Sequence, residues 1–461
     1  IYRRTGIQFQ PFNTLYQLYA PPDQYFGGGN TALNCLGRDL AGRAQEVLWV
    51  KGSGADLKTC EARHFAPLPL AALRPLAARR AMRDEAMVAF LERHLLDPKA
   101  PRPSIETLLH AFIPEAAVDH THADAILSLA NTRGGERLIR RVLGPRLLWI
   151  PYLQPGFALS RRVAQAYQRR PDAYGAVLEK HGLITWGPDG RTSYERTLRC
   201  VTRAERFITR SQRRHAWSPA AHTTLPAEGQ QAVLRRWLPA IRRTLSRTRK
   251  VCLALTDTPD VLEFVNARRM PSLARVGPAT PDHMLRTKRL PLAVRVGARS
   301  AAVPRLRSGR RPEQSRGAAA VSPEAIVRQL ERYAADHERY VRRYRRSTQT
   351  RPDPFPRVIL IPGVGMLTSG KDATETAMVA QLYRHAMAVM RHATAVGRYT
   401  SVSAREAFNV EYWPLELYKL TLAPPEAELS REIGLVTGAA GGIGRAIARQ
   451  LVDRGACVAV T

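Results

Sequence analysis

Three histidines and one glutamate constrain this chain most. His120 and His122 lie two residues apart in the stretch 103–132, PSIETLLHAFIPEAAVDHTHADAILSLANT. On a strand such residues point to the same face, so both imidazoles can reach one metal ion. His181 follows in the string EKHGLITW as a third candidate ligand. Three histidines with one open position are typical of a catalytic zinc site, whereas a structural site is closed. Glu106 begins a predicted helix upstream and is the candidate proton-transfer residue.

Each of these residues also has a purely structural interpretation. His120 and His122 can be a satisfied pair on a half-buried strand, and His181 can be a loop histidine. Glu106 can simply stabilise the first turn of its helix through the helix dipole. Their occurrence together favours the metal site over these separate interpretations.

The same strings, with KHGLITWG, resemble the class II zinc-dependent sugar-phosphate aldolases, a family that includes the adducin head domain. The resemblance covers about Tyr25–Thr461. The stretch Gly277–Leu292, GPATPDHMLRTKRLPL, most resembles the branch of this family in which a rhamnulose-1-phosphate aldolase is joined to a short-chain dehydrogenase. It implies an α/β fold: an α/β/α sandwich with a mostly antiparallel sheet, then an α/β connecting region and a truncated Rossmann βαβ unit.

Two glycine-containing stretches near the start are candidates for binding a phosphate. Phe26–Thr31 is a glycine run before a polar pair, and the short strand Val47–Val50 ends in the predicted turn Lys51–Gly54. Glycines let backbone N–H groups approach an anion closely. Ala32 stands where the family usually has a serine. The resemblance implies that the substrate phosphate is held by Asn30, Ser53, Gly54 and Ser104.

The activity that the resemblance implies is zinc-dependent cleavage of L-rhamnulose 1-phosphate to dihydroxyacetone phosphate and L-lactaldehyde. Zinc would act as a Lewis acid on the carbonyl, and Glu106 would move a proton. The family also implies a homo-oligomer. Two alternatives stay open: a non-catalytic adducin-like protein, although adducin-like heads lack the histidine set, and an inactive gene fragment.

The C-terminal residues 432–461, EIGLVTGAAGGIGRAIARQLVDRGACVAVT, predict a strand, a glycine turn, a helix and a second strand. They resemble the dinucleotide fingerprint of short-chain dehydrogenases, in which the pyrophosphate sits at a helix N-terminus. Since the acidic ribose-binding residue and the catalytic residues of that family would lie beyond Thr461, we expect no hydride transfer here, and NAD would bind only to a complete domain. The predicted NAD-binding residues are Thr437, Gly438, Gly442, Ile443 and Gly444.

Composition shifts and resemblance divide the chain into four parts. Residues 1–20 resemble an internal segment of a sugar kinase and are either extraneous or a divergent arm. The aldolase domain is predicted at 21–245 and the connecting region at 246–430, with the dehydrogenase start at 431–461. Within the connecting region, the basic stretch near 293–320 is expected to lack a packed core, as a disordered linker, an RNA-binding segment or the product of a shifted reading frame.

Hydrophobic patterning predicts elements that a structure can test. Residues 68–98 have mostly helical spacing, with a break or kink at Pro75. Pro356–Gly365 is typical of a buried parallel strand followed by a glycine turn. The stretch Thr368–Asp372 only partly resembles a P-loop, because an aspartate stands where a serine or threonine is required. A long helix is predicted at Ala373–Ala393.

Composition excludes some classes of function. The net charge of +32 comes from basic residues spread along all 461 positions, mostly arginine as a GC-rich coding sequence produces, so it does not favour nucleic-acid binding. Five scattered cysteines predict a reducing cytoplasm. No run approaches the ~20 apolar residues of a membrane span, and no signal peptide is evident. The first residue is not methionine, so we expect a fragment.

Overall fold

A computed structural model describes residues 29–38, 42–53, 60–215, 217–296, 321–345, 353–421 and 425–461. The predicted segment 1–20 lies outside these residues. The chain forms two compact units. The first contains the described residues up to His215 together with 279–285 and 388–421, and the second contains the remainder.

Strands and helices alternate along most of the described chain. The strands are β1 (Gly29–Arg38), β2 (Ala44–Lys51), β3 (Phe65–Pro69), β4 (Ala117–Thr121), β5 (Leu147–Ile150), β6 (Gly175–Leu178), β7 (Gly182–Gly187), β8 (Cys252–Thr256), β9 (Leu292–Ala293), β10 (Val358–Ile361), β11 (Gly365–Gly370), β12 (Ile433–Val436) and β13 (Cys457–Val460). The helices are α1 (Leu70–Leu73), α2 (Asp84–Arg93), α3 (Thr107–Ala111), α4 (Asp124–Ala130), α5 (Gly135–Leu143), α6 (Phe157–Arg169), α7 (Gly190–Arg214), α8 (Ala227–Leu245), α9 (Pro259–Asn266), α10 (Met270–Leu273), α11 (Pro281–Thr287), α12 (Pro323–Tyr344), α13 (Ala373–Val396), α14 (Ala404–Glu411), α15 (Pro414–Thr421) and α16 (Gly442–Asp453), with short 3₁₀ helices at Ala62–His64 and Arg74–Ala78.

The first unit is built on a seven-stranded sheet with the order β3-β2-β1-β4-β7-β6-β5. Every neighbouring pair is antiparallel except β5 and β6, which are parallel. The mostly antiparallel sheet that the family resemblance implied is therefore confirmed.

Helices cover both faces of this sheet. Because side chains alternate along a strand, β7 contributes Leu183 to one buried cluster and Ile184 and Trp186 to another. The first cluster contains residues of α4, α5 and α7, and the second contains residues of α3 and α6. The unit is thus an α/β/α sandwich.

The helical prediction for 68–98 is wrong at its beginning. Residues up to Pro69 form β3, which lies at the edge of the sheet, and regular helix resumes only at Asp84. Prolines lack the N–H that a helix or a central strand needs, so Pro67 and Pro69 are compatible with an edge strand. The predicted break at Pro75 falls in a 3₁₀ turn.

The second unit contains a four-stranded sheet with the order β8-β11-β10-β9. The strand predicted within Pro356–Gly365 is buried, but it is parallel only to β9 and antiparallel to β11. A tight hairpin joins β10 to β11, with Gly363 at φ +80°. The residues Thr368–Gly370 lie in β11 and are not part of a turn. The helix predicted at Ala373–Ala393 is confirmed as α13.

The prediction that the basic stretch near 293–320 lacks a packed core is wrong for its first residues. Ala293 lies in β9, and Val294 and Val296 are buried in the core of the second unit while Arg295 is exposed. This alternation is that of an extended segment with one apolar face. The rest of the predicted stretch, 297–320, lies outside the described residues.

A parallel βαβ piece ends the chain. The strands β12 and β13 pair in parallel with α16 between them, as the sequence predicts. It belongs to the second unit, in which Arg431 Nη1 donates to the Lys250 carbonyl at 2.8 Å. Apolar side chains such as Leu435 (71% exposed) stay in contact with solvent. Among the described residues, no helix has the length and apolarity that crossing a membrane requires.

Candidate metal centre

Strand β4 positions two of the three histidines. It lies in the middle of the seven-stranded sheet, between β1 and β7, and residue 120 is opposite Asn30 on one neighbour and Ile184 on the other. His122 follows two residues later, directly after the strand ends, and its side chain lies on the same side as that of His120. The period of two along an extended chain therefore brings the two imidazoles together.

A tight turn positions the third histidine. His181 is the last residue of the three-residue loop between β6 and β7, and its N–H donates to the Leu178 carbonyl at 3.1 Å. Lys180 in this loop adopts a left-handed φ of 55°. Since β7 pairs with β4, the start of β7 is held beside the end of the strand that bears His120.

Gly182 permits the close approach. A Cβ atom at this position would lie 2.5 Å from the Thr121 carbonyl oxygen and 2.8 Å from Cδ2 of His122. Such distances are shorter than van der Waals contact, so any side chain would push the β7 turn away from the histidines.

The three imidazoles converge through their Nε2 atoms. The Nε2 of His120 lies 3.0 Å from that of His122 and 3.3 Å from that of His181. A tetrahedral zinc ion with Zn–N bonds of about 2.0–2.1 Å separates its nitrogen ligands by about 3.3 Å. The spacing of the three nitrogens thus fits a single metal ion.

Hydrogen bonding fixes the tautomer of His120. Its Nδ1–H donates to the Leu183 carbonyl at 2.9 Å, which leaves Nε2 with a free lone pair. Complete burial lowers the pKa of His120 to about 3, so the ring is neutral near pH 7 and suited to metal binding.

Asp119 precedes His120 in the chain but does not orient the histidine rings. It points to the other face of β4, where its carboxylate accepts a hydrogen bond from Thr31 Oγ1 at 2.8 Å. Burial raises the pKa of Asp119 to about 6. The ring of His120 is therefore oriented by the Leu183 carbonyl and not by this carboxylate.

Glu106 lies next to the histidine cluster. It is the N-cap residue of α3, and its Oε1 is 3.1 Å from Nε2 of His181 and 3.6 Å from Nε2 of His120. Burial opposes ionisation, but His120 and His181 nearby hold the pKa of this carboxyl well below its usual range. The group is a carboxylate near pH 7 and can accept a proton.

Together these atoms form a compact set of donors for a cation. Three nitrogens and one carboxylate oxygen converge in an almost fully buried space, and the three histidine ligand atoms lie within 4.8 Å of one another. Neutral imidazoles and a carboxylate are ligands that zinc accepts. The residues therefore fit a divalent metal with N₃O donors.

The candidate phosphate-binding residues come from two neighbouring loops and one strand. Ser53 donates its backbone N–H to the Arg102 carbonyl at 2.9 Å, and Gly52 pairs with Pro103, so the turn after β2 lies beside the loop containing Ser104. Asn30 is buried at the start of β1, opposite His120. Gly54 lies outside the described residues.

Sequence reasoning missed Lys51. Its side chain is 7% exposed, and its Nζ donates to the Gly52 carbonyl at 3.1 Å, one residue before Ser53. A buried ammonium beside two serine-bearing loops supplies positive charge at the place predicted for the phosphate. The signal in the sequence was a charged residue at the end of the apolar strand VLWV.

The predicted dinucleotide-binding residues lie in the second unit, in the turn after β12 and in the first turn of α16. Gly438 has a left-handed φ of 67°, and a Cβ on Gly444 would lie 2.3 Å from the Gly438 carbonyl oxygen. Both positions therefore require glycine. Thr437, Gly442 and Ile443 lie in the same turn or at the start of α16, and the side chain of Ile443 is 81% exposed.

Comparison with known protein families gives two matches. Residues 24–208 match the class II aldolase and adducin N-terminal domain, and residues 232–420 match the second domain of class II aldolases. The chain is also 41% identical over 436 residues to a protein of Bacillus subtilis (strain 168) named uncharacterized oxidoreductase YuxG. That match covers 94% of this chain and 61% of the relative, so the chain spans less than two thirds of the relative's length.

Two solved structures that are similar to this chain each cover less than half of it. The N-terminal class II aldolase domain of a conserved protein from Thermoplasma acidophilum is 40% identical and covers 44% of this chain and 93% of its own, with a TM-score of 0.40. A sugar-phosphate aldolase from Thermotoga maritima is 14% identical and covers 45% of this chain and 94% of its own, with a TM-score of 0.33.

Proposed function

We propose that this chain, whose residues 24–208 and 232–420 match the two class II aldolase domain families, is a metal-dependent lyase that cleaves a phosphorylated ketose. The observation that carries the proposal is the convergence of His120, His122 and His181 on one point, with Glu106 beside it. The proposed substrate is L-rhamnulose 1-phosphate, and the products are dihydroxyacetone phosphate and L-lactaldehyde.

The proposed metal is Zn²⁺, held by the three Nε2 atoms. When bound, it supplies a Lewis acid that polarises the substrate carbonyl and stabilises the negative charge that develops on its oxygen. Glu106 takes the proton of the C4 hydroxyl as the C3–C4 bond breaks, and the aldehyde leaves. A proton returned to C3 completes dihydroxyacetone phosphate, so the atoms of substrate and products balance.

The phosphate of the substrate is proposed to bind between the loop after β2 and the loop before α3. Ser53 and Ser104 supply hydroxyl groups, Asn30 supplies an amide, and Gly54 supplies a backbone N–H. Lys51 adds a positive charge that balances the negative charge of a buried phosphate dianion. Asn30 is the neighbour of His120 across β1 and β4, so the proposed phosphate site includes a direct neighbour of the histidine cluster.

The C-terminal piece is proposed to be the start of an NAD-binding dehydrogenase domain. The left-handed Gly438 and the close approach at Gly444 support a pyrophosphate at the N-terminus of α16. The name of the Bacillus relative and its greater length agree with an oxidoreductase domain in the whole protein. The proposal includes self-association and a cytoplasmic location. Size-exclusion chromatography with light scattering tests the self-association.

The experiment measures dihydroxyacetone phosphate release from a panel of ketose 1-phosphates. Metal-stripped protein is expected to be inactive and to recover with Zn²⁺, and Glu106→Gln is expected to keep the metal but lose activity by about 10²–10⁴-fold. His215→Ala, which changes an exposed histidine directly after the end of α7, serves as the matched control and should behave as wild type. Activity that persists without metal would refute the proposal. An adducin-like binding protein would bind no metal and release no product.

A further inference from the structure

Two cysteines from distant parts of the sequence meet in the second unit. Cys252 is the first residue of β8 and Cys457 is the first residue of β13. Their Sγ atoms lie 3.4 Å apart although 205 positions separate them in the chain. Van der Waals contact between two sulfurs on different sheets is the arrangement from which a disulfide forms with small side-chain movements.

Polar contacts on both sides keep the sulfurs together. Arg431 Nη1 donates to the carbonyl of Lys250 at 2.8 Å, and Lys250 forms an ion pair with Glu432. The Cys457 N–H in turn donates to the Glu432 carbonyl at 2.9 Å. Lys250, two residues before Cys252, is therefore bound to Arg431 and Glu432, and Glu432 is in turn bound to Cys457. These contacts place the start of β8 beside the start of β13, which brings the two sulfurs together.

The two thiols differ in exposure. Cys252 is 3% exposed, whereas Cys457 is half-buried, so an oxidant in solvent reaches Cys457 first. Burial raises the pKa of Cys252 to about 12, and it remains a protonated thiol near pH 7. Such a thiol is protected from direct oxidation but is in place to react with an oxidised neighbour.

We propose that Cys252 and Cys457 form a reversible intramolecular disulfide when the protein meets a peroxide. The Cys457 sulfur attacks the peroxide O–O bond, gives a sulfenic acid and releases water. The Cys252 sulfur then displaces the hydroxyl group of the sulfenic acid, its proton leaves with that group as a second water, and the S–S bond forms. In sum, two thiols and one hydrogen peroxide yield one disulfide and two waters.

The disulfide would fix the start of β13 to the four-stranded sheet. Strand β13 pairs with β12, which leads directly into the glycine turn at 437–444. Oxidation would therefore attach the piece proposed to bind a dinucleotide covalently to β8. A thiol reductant would release it.

Peptide mapping of the purified full chain tests the proposal. The protein is treated with stoichiometric hydrogen peroxide, the remaining thiols are alkylated, and the digest is analysed by mass spectrometry. We expect a peptide pair linked through Cys252 and Cys457, which dithiothreitol separates. Cys457→Ser should lose this linked pair, whereas the control Cys60→Ser should retain it.

Other outcomes would overturn the proposal. One is oxidation of Cys457 to sulfinic acid while Cys252 in the same molecule is alkylated. Another is a linked pair that forms between molecules and disappears on dilution. Unreacted thiols at both positions would also overturn it. Each of these results is read from the peptide map of the wild-type protein. The test therefore remains valid even if Cys457→Ser fails to fold.

Discussion

At the scale of single residues, the candidate site depends on groups whose protonation is set by burial. The neutral state of His120 follows from complete burial, and the carbonyl of Leu183 decides which of its nitrogens faces the other histidines. At Glu106 burial opposes ionisation, but His120 and His181 hold the pKa of its carboxyl group below the usual range, so the group is ionised. The buried site thus contains a carboxylate base next to neutral imidazole ligands, and metal-assisted proton transfer requires both.

Replacing His181 by alanine should disrupt the metal centre. It removes one of three nitrogen ligands, and we expect the affinity for Zn²⁺ to fall by at least about 100-fold, since even indirect changes at metal sites cost 10–100-fold. Metal content after dialysis against a graded series of chelator concentrations measures this. His215→Ala should bind zinc as wild type does, and equal zinc retention by both variants would contradict the assignment.

His110 should make the metal-free protein sensitive to acid. It lies one turn after Glu106 in α3, and burial lowers its pKa from the ordinary 6.5 to about 4. Because the folded pKa is the lower one, the unfolded chain binds more protons between pH 6.5 and 4. Stability is therefore complete above pH 6.5 and falls as the pH drops, by about 3 kcal/mol from this group.

The His110→Gln variant isolates this contribution. Urea unfolding of both proteins in the presence of a chelator, at several pH values from 7 to 4, gives the free energy of unfolding for each. The variant should lose less stability than wild type across this range. Parallel pH profiles would mean that His110 does not carry the effect.

At the scale of elements, the metal centre is a product of strand pairing. Strand β4 and the residue directly after it provide His120 and His122, and the β6–β7 turn provides the third histidine because β7 is the hydrogen-bonded neighbour of β4. Helix α3 adds Glu106, its N-cap residue. Four side chains from three segments meet at one place, so the distances among them depend on the backbone separation between neighbouring strands.

Gly182→Ala tests the dependence on close packing between β4 and the β7 turn. The new methyl group would lie 2.5 Å from the Thr121 carbonyl and 3.0 Å from Cε1 of His120. We expect a loss of about 1–3 kcal/mol in stability from overpacking, together with weaker zinc binding. Gly190→Ala, where an added Cβ has no heavy atom within 4 Å, is the matched control. Unchanged zinc affinity in Gly182→Ala would show that the turn tolerates displacement.

At the scale of the whole molecule, the chain separates its two candidate chemistries. The histidine cluster belongs entirely to the first unit, and the glycine turn before α16 belongs to the second. Each unit has its own sheet and its own buried clusters. A ligand that binds one unit therefore stabilises that unit directly through mass action.

Hydrogen exchange should show where zinc acts. Adding Zn²⁺ to the metal-free protein is expected to slow exchange in β4 and β7, by up to about 100-fold at a free zinc concentration 100 times the Kd. Exchange in β10 and β11 should change little. Mass spectrometry of peptic peptides measures both regions in one experiment, and equal slowing in β10 and β11 would contradict a zinc site confined to the first unit.

The amino-acid sequence alone determined the local part of this protein. The spacing of His120 and His122, the glycine turn at 437–444 and the resemblance to class II aldolases required no tertiary contacts, because period-two alternation and left-handed glycines are properties of short segments. Tertiary structure decided the rest. The pairing of β4 with β7 brought His181 to the cluster, and the contact of Cys252 with Cys457 arose across 205 positions. Such contacts depend on strand register and on packing between distant segments, which a local pattern does not specify.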